Sequence, residues 1–212
     1  MFEVEYKGGN CVVLSTKKTT LVADPRLSVV GLKDVKTKDE IEIVTEPRFI
    51  VENSEARVII QAPGEYEVGD FFIRAAAATR HLDMETEAKL STLYHIDTGD
   101  VRIGLIGNVK NKLNDDQLET IGVVDVLIIP VGGGGYTLDA TNAASIVRQV
   151  EPKVIIPIHY ADSGLRYEVP QDTLETFIKE LGAPVEQMDK FKLKGAAALP
   201  PALTVVALKR SS

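Results

Sequence analysis

The sequence predicts a mixed α/β (α+β) protein, a four-layer αββα sandwich formed by a single domain over residues 1–212. Three observations predict it. The first half reads as a series of short strands with turn residues between them, and after Asn108 the pattern changes to buried strands alternating with helices. No linker, low-complexity tract or recurring period divides the chain. Two halves of this kind, each a sheet that must cover one face with helices, pack sheet against sheet and leave loops along one edge.

In chain order, Phe2 to Tyr6 alternates apolar and polar residues, Gly8-Gly9 turns the chain, and Cys11 to Asp24 reads as two strands joined around Lys17-Lys18. Further strands are predicted at Glu40 to Thr45, Arg57 to Gln61 and Phe71 to Ala77. Thr92 to Ile96 pairs with Val101 to Ile106 across the turn Thr98-Gly99-Asp100. Pro63-Gly64 reads as a turn, with Tyr66 as its packing anchor. In the second half a short helix is expected at Asn114 to Thr120, and the run Val124 to Pro130 is continuous enough for a strand covered on both faces. Asp139 caps a helix to about Val150, Lys153 to Ile158 forms a second buried strand, and Pro170 to Leu181 forms a helix ended by Gly182. Leu203 to Leu208 closes the chain as a strand.

Composition bounds the function. With 44% hydrophobic and 26% charged residues the chain can bury a core without staples, and its one cysteine, Cys11, among Val12, Val13 and Leu14, reads as apolar packing. A net charge of -7 repels phosphate backbones, and the lysines from Lys7 to Lys38 are scattered among acids, so nucleic acid is not an expected partner. No apolar run approaches the roughly 20 residues of a spanning helix, and no membrane partner is expected. Acidic residues follow Met1-Phe2 where a signal peptide would carry basic ones, which predicts a cytoplasmic protein.

Five segments carry a resemblance: Leu21-Val22-Ala23-Asp24-Pro25; Ala62-Pro63-Gly64-Glu65-Tyr66-Glu67; Gly107-Asn108; Val124 to Gly133; and Pro152 to Tyr160. In these the chain resembles the small bacterial metallo-β-lactamase-fold proteins described as Zn-dependent hydrolases, which are related to the sugar-phosphate lactonase branch of that superfamily. Met188-Asp189-Lys190 and the closing strand fall where such proteins have their last hairpin. The resemblance implies a motif H-x-H-x-D-H after an early strand, a lone His, an Asp bridging two metals, and a final His. Here the strand Glu42-Ile43-Val44-Thr45 runs into Glu46-Pro47-Arg48-Phe49-Ile50-Val51 without a His, and the bridging Asp is Asn108. His81 and His159 remain at ligand positions, and Glu46 aligns with the first missing His.

The chemistry of these residues argues against a dinuclear hydrolase. Two cations about 3.5 to 4 Å apart around a hydroxide need anionic ligands, and Asn108 supplies no charge. A single zinc at His81 and His159 would need a third ligand such as Glu46, Asp83 or Asp162. The expectation is therefore zinc at low occupancy or no cofactor. Each site residue also has a plain structural reading: His81 as a surface residue beside Asp83, His159 as a locally bonded strand end, and Asp24 as an ordinary Asp before Pro. His95 reads as a solvent-facing strand residue. Gly132 and Gly133, lining the cleft in this scheme, can carry the chain across it or expose amides to an anion.

Two functions follow. One is a non-catalytic binding or structural homologue, with an unidentified small molecule or protein as partner or assembled as a homo-oligomer. The alternative is a reduced hydrolase working through one zinc at His81 and His159.

Overall fold

A computed structural model describes residues 1–80, 91–110 and 112–211. His81 and Asp83 lie outside the described residues. The strands are β1 (Phe2–Gly8), β2 (Cys11–Ser15), β3 (Thr20–Ala23), β4 (Ile41–Ile43), β5 (Val58–Ile60), β6 (Gly64–Val68), β7 (Phe71–Ala78), β8 (Ser91–Asp97), β9 (Arg102–Leu105), β10 (Val126–Pro130), β11 (Val154–Ile158), β12 (Val185–Met188), β13 (Phe191–Leu193) and β14 (Thr204–Leu208). Helices α1 (Asp115–Ile121), α2 (Ala140–Val150) and α3 (Leu174–Leu181) complete the framework. A six-stranded sheet has the order β13-β1-β2-β3-β4-β5, and an eight-stranded sheet the order β12-β14-β11-β10-β9-β8-β7-β6.

Alternation along β1 puts Phe2, Val4 and Tyr6 on its inner face, where they meet Leu14, Ile43, Tyr94 and Ile128 in the core between the sheets. Each such side chain, once buried, contributes on the order of 1.5 to 3 kcal/mol. The central strands β10 and β11 are buried at every position, as parallel strands covered on both faces must be. Their outer face meets Ala143, Ile146, Val147 and Phe177 from α2 and α3. Local signals begin and end the helices. Asn114 and Gln117 form a reciprocal capping box on α1, and the Asp139 carboxylate accepts from the Asn142 amide at 2.8 Å at the start of α2. Among the described residues, the outer face of the six-stranded sheet is covered by a 3₁₀ turn, Leu27–Val30, and by Leu165 rather than by an α-helix.

Several local expectations fail for identifiable reasons. The segment 170–173 is not helical and α3 starts only at Leu174, because the Asp172 amide donates to Gly132 at 2.6 Å and its carbonyl accepts from Ala161 at 2.9 Å. His95 is buried, not solvent-facing: α1 covers that face of β8, and His95 Nδ1 lies 2.6 Å from the Ile121 carbonyl oxygen. Tyr66, read as the packing anchor of a turn, lies in a strand instead: β6 pairs with β7 along its length at the sheet edge. The strands on either side of Asp189-Lys190 do not form a hairpin with each other. β12 joins β14 in one sheet and β13 joins β1 in the other.

Candidate functional site

Both sheets deliver strand ends to one edge. Asp24 follows β3, Thr45 and Glu46 follow β4, Asn108 follows β9, Gly132 follows β10 and His159 follows β11. The carboxyl ends of parallel strands are where open α/β sheets place their ligand crevices. Thr45 joins the two halves. Its amide and hydroxyl donate to the two Asp24 carboxylate oxygens at 2.7 and 2.6 Å, and its carbonyl accepts from the Thr92 amide at 2.9 Å. A Cβ on Gly107 would come within 2.6 Å of the Thr45 Cβ, so the chain can approach this closely only as glycine. Asp24, at φ 48°, is buried, and burial pushes its carboxyl up to about 7. The two Thr45 hydrogen bonds and Arg48 work against that rise, and Glu46 adds to it.

Glu46 stands in extended conformation ahead of the 3₁₀ turn Pro47–Phe49, with Pro47 starting the turn. Its carboxylate is 2% exposed. Oε1 accepts the Asn108 side-chain amide at 2.6 Å, while Oε2 faces Arg48 Nε and Arg80 Nη1, each at 3.3 Å. The Arg48 guanidinium also lies 4.4 Å from the Tyr136 ring centroid and 4.6 Å from that of Phe49. Arg48 thus points inward, as a positive charge fixed over the cleft.

His159, at φ 50°, turns the chain out of β11, and its ring is buried between Tyr167, at 4.8 Å, and Tyr136, at 6.1 Å between centroids. Its Nδ1 is hydrogen-bonded to Asn10 Oδ1, which as a carbonyl oxygen accepts and so fixes the proton on Nδ1. Burial first, then repulsion by Arg48, holds the imidazole neutral down to about pH 3. Nε2 therefore carries a lone pair. It has no hydrogen-bond partner among the described residues, and neither has Asn10 Nδ2. Both residues line a pocket whose walls include Arg48, Tyr136, Tyr167 and Gln171.

The other expected residues divide. Gly132 cannot be anything larger, since a Cβ would fall 2.3 Å from the His159 carbonyl oxygen and 2.5 Å from Gln171 Oε1. The Gly133 amide donates to Leu138 at 2.9 Å and is not free to hold an anion. Asp162 is paired with Arg210 at 2.8 Å. Asn10, Arg80, Tyr136, Tyr167 and Gln171 were not singled out from the sequence. Asn10 had a signal, the Gly8-Gly9 turn just before it, which brings the chain to the end of β11, where the Gly9 carbonyl accepts from the His159 amide at 2.9 Å.

These donors do not fit a dinuclear metal centre. The carboxylate beside Asn108 already faces two guanidinium groups, and a metal ion would have to displace both cations to reach it. Asn108 turns its N–H donors to Glu46, and its Oδ1, a neutral oxygen without a partner among the described residues, brings no negative charge to a pair of cations. Among the described residues, no three His, Cys, Asp or Glu side chains are grouped to hold a metal ion.

Two facing sheets, with α-helices outside the eight-stranded one and a 3₁₀ turn outside the other, and a cleft at the ends of parallel strands define a sandwich of the metallo-β-lactamase type. Residues 3–159 match the family model of the beta-lactamase superfamily domain, and the chain belongs to that superfamily. A protein of the UPF0173 group from Pyrococcus furiosus is 24% identical over 183 residues, covering 74% of this chain and 83% of its own length. A UPF0173 metal-dependent hydrolase from Carboxydothermus hydrogenoformans is 41% identical over 69 residues, covering 32% of this chain and 26% of its own. In fold, the chain is similar to a crystal structure from Thermotoga maritima described as a Zn-dependent hydrolase of the metallo-beta-lactamase superfamily. The TM-score is 0.74 at 19% identity, over 98% of this chain and 99% of that one.

Proposed function

We propose that this chain is a member of the superfamily in which the hydrolytic metal site has given way to a metal-free cleft, making it a binding protein rather than a hydrolase. The observation that carries this reading is the Glu46 carboxylate, held by Asn108 and flanked by Arg48 and Arg80. Two guanidinium groups supply the positive charge that a metal pair supplies in an active site, and they are fixed to the protein. The net charge of -7 supports a small molecule or a protein as partner, rather than nucleic acid or an anionic membrane surface. Homo-oligomer formation is compatible with this role.

The test is elemental analysis of protein purified without chelator, combined with assays of phosphodiester, lactone and β-lactam hydrolysis. Well under one equivalent of zinc and no turnover are expected. Two equivalents of zinc, or zinc-dependent turnover abolished by His159→Ala, would overturn the proposal. A second reading, a hydrolase with one zinc, draws on the unpartnered His159 Nε2 and on the relatives described as metal-dependent hydrolases. It predicts one tightly held zinc lost on removal of His159.

A further inference from the structure

Tyr136 bridges the cleft. On one side is Arg48, from the turn after β4, whose guanidinium lies 4.6 Å from the Phe49 ring centroid and 4.4 Å from that of Tyr136. On the other is His159, at the end of β11, whose ring lies 6.1 Å from that of Tyr136 at an interplanar angle of 16°. With these side chains together, the pocket keeps an open volume of about 20 Å³, room for about one water. Its lining holds buried polar atoms without a hydrogen-bond partner among the described residues: Asn10 Nδ2, Arg48 Nε, His159 Nε2, Tyr167 OH and Gln171 Oε1. One water makes at most about four hydrogen bonds, fewer than these atoms need. Closure therefore sets ring contacts against unpaired polar atoms, and an open cleft would hydrate those atoms.

The segment that carries Tyr136 has fixed stems and a free middle. The Gly132 carbonyl accepts from the Asp172 amide at 2.6 Å, and the Gly133 amide donates to the Leu138 carbonyl at 2.9 Å. Between them Gly134 and Gly135 are exposed, and no backbone carbonyl among the described residues accepts from their amides. A Cβ on Gly134 would fall 2.5 Å from the Pro170 carbonyl oxygen, whereas one on Gly135 would meet nothing within 4 Å. Gly135, at φ 73°, is thus the residue with room to turn. We propose that Tyr136 is a gate: pivoting about Gly135, its ring leaves Arg48 and His159 and opens the cleft to molecules larger than water. Arg48 keeps Glu46 and Phe49 as partners when the ring leaves, so the wall behind the gate stays in place.

The gate goes beyond the metal-free reading and does not depend on it. The experiment measures carbethoxylation of each histidine of the full chain by diethyl pyrocarbonate at neutral pH, mapped by mass spectrometry. EDTA in every sample keeps His159 Nε2 free to react. The reagent is too large for the closed pocket, and His159 is neutral throughout, so its rate reads access alone. His95, buried against α1, reports opening of the whole fold. In wild type His159 should react faster than His95, and low urea should speed His95 steeply but His159 little, because a local opening exposes little surface. Tyr136→Ala should raise the His159 rate about tenfold, the weight of one cation–π contact and one ring stack. Gly135→Ala should raise it about tenfold as well, because a left-handed alanine strains the closed state and is relieved when the gate turns. A His159 rate that matches that of His95 in size and urea dependence would mean a rigid wall. A His159 rate unchanged in Tyr136→Ala or in Gly135→Ala would mean entry by another route, and either result would overturn the gate.

Discussion

Asn108 gives its side-chain amide to Glu46 at 2.6 Å, across the edge where the two sheets meet. The pair ties the loop after β9 to the loop after β4, and it does so in the part of the cleft where the hydrolytic members of the superfamily are expected to gather metal ligands. Its chemistry, donor to carboxylate with arginines behind, makes two predictions.

Glu46→Gln removes the charge that Arg48 and Arg80 face and keeps the shape of the side chain. Breaking a fully buried ion pair from one side costs about 3 to 5 kcal/mol. The two arginine side chains are 26% and 27% exposed and can recover some hydration, so a loss of about 2 kcal/mol is expected. Urea unfolding of the two proteins measures it. A change below about 0.5 kcal/mol would mean that the arginines have no need of Glu46.

Asn108→Asp replaces an N–H donor by a second carboxylate against Glu46. The two negative groups must then share a proton or a cation. Zinc affinity at neutral pH should rise by at least about tenfold, a cation-binding gain of the kind a carboxylate ligand brings. Without metal the variant should lose stability as pH rises and the shared proton leaves. Hydrolysis should not return, because Arg48 and Arg80 still occupy the neighbouring space. Calorimetric zinc titration of both proteins decides the matter: equal dissociation constants would detach Asn108 from any metal history of the cleft.

Asp24 makes stability depend on pH. Its carboxyl titrates near 7 when folded, against an ordinary 3.8. The folded state therefore binds the proton more tightly than the unfolded one. The stability from this group is fully present below about pH 4 and is lost as pH rises through about 7. Asp24→Asn keeps an oxygen for the Thr45 amide and suits the positive φ, and it has no proton to lose. Relative to wild type, the variant should gain on the order of 2 kcal/mol between pH 5 and pH 8. His159, held neutral in both proteins, cancels from the difference. Denaturant unfolding at the two pH values checks it, and a difference independent of pH would show that Asp24 is ionised in the fold.

Much of this was legible because hydrophobic pattern reports burial. β10 and β11 are uniformly apolar and were readable as covered strands, and the family resemblance picked out Asp24, Glu46, Asn108 and His159, each of which lies just past a strand end. Pattern does not report what lies across the cleft. Gln171 follows Pro170 in a stretch that reads as a helix start, and the backbone bonds of Asp172 to Gly132 and Ala161 keep it out of the helix. Asn10 looks like a turn residue until the Gly9 carbonyl is seen to meet the His159 amide. His95 alternates with apolar neighbours as an outward residue would, and α1 then covers it. β6 carries Glu65 and Glu67 after a Pro-Gly turn, charges that suit an exposed edge strand but hide it as a strand.

The parting of β12 and β13 into different sheets has a kinetic side. β13 completes its sheet by pairing Phe2 with Leu193 and Val4 with Phe191, contacts between opposite ends of the sequence. During synthesis β1 must wait, with that edge unpaired, until nearly two hundred residues have followed it. Contacts of such sequence separation slow folding, because the loop they close must be ordered before they can form. The open flank of β1 is then the surface on which a nascent chain would capture another strand by mistake, and a chaperone that shields this flank would act before the cleft has formed.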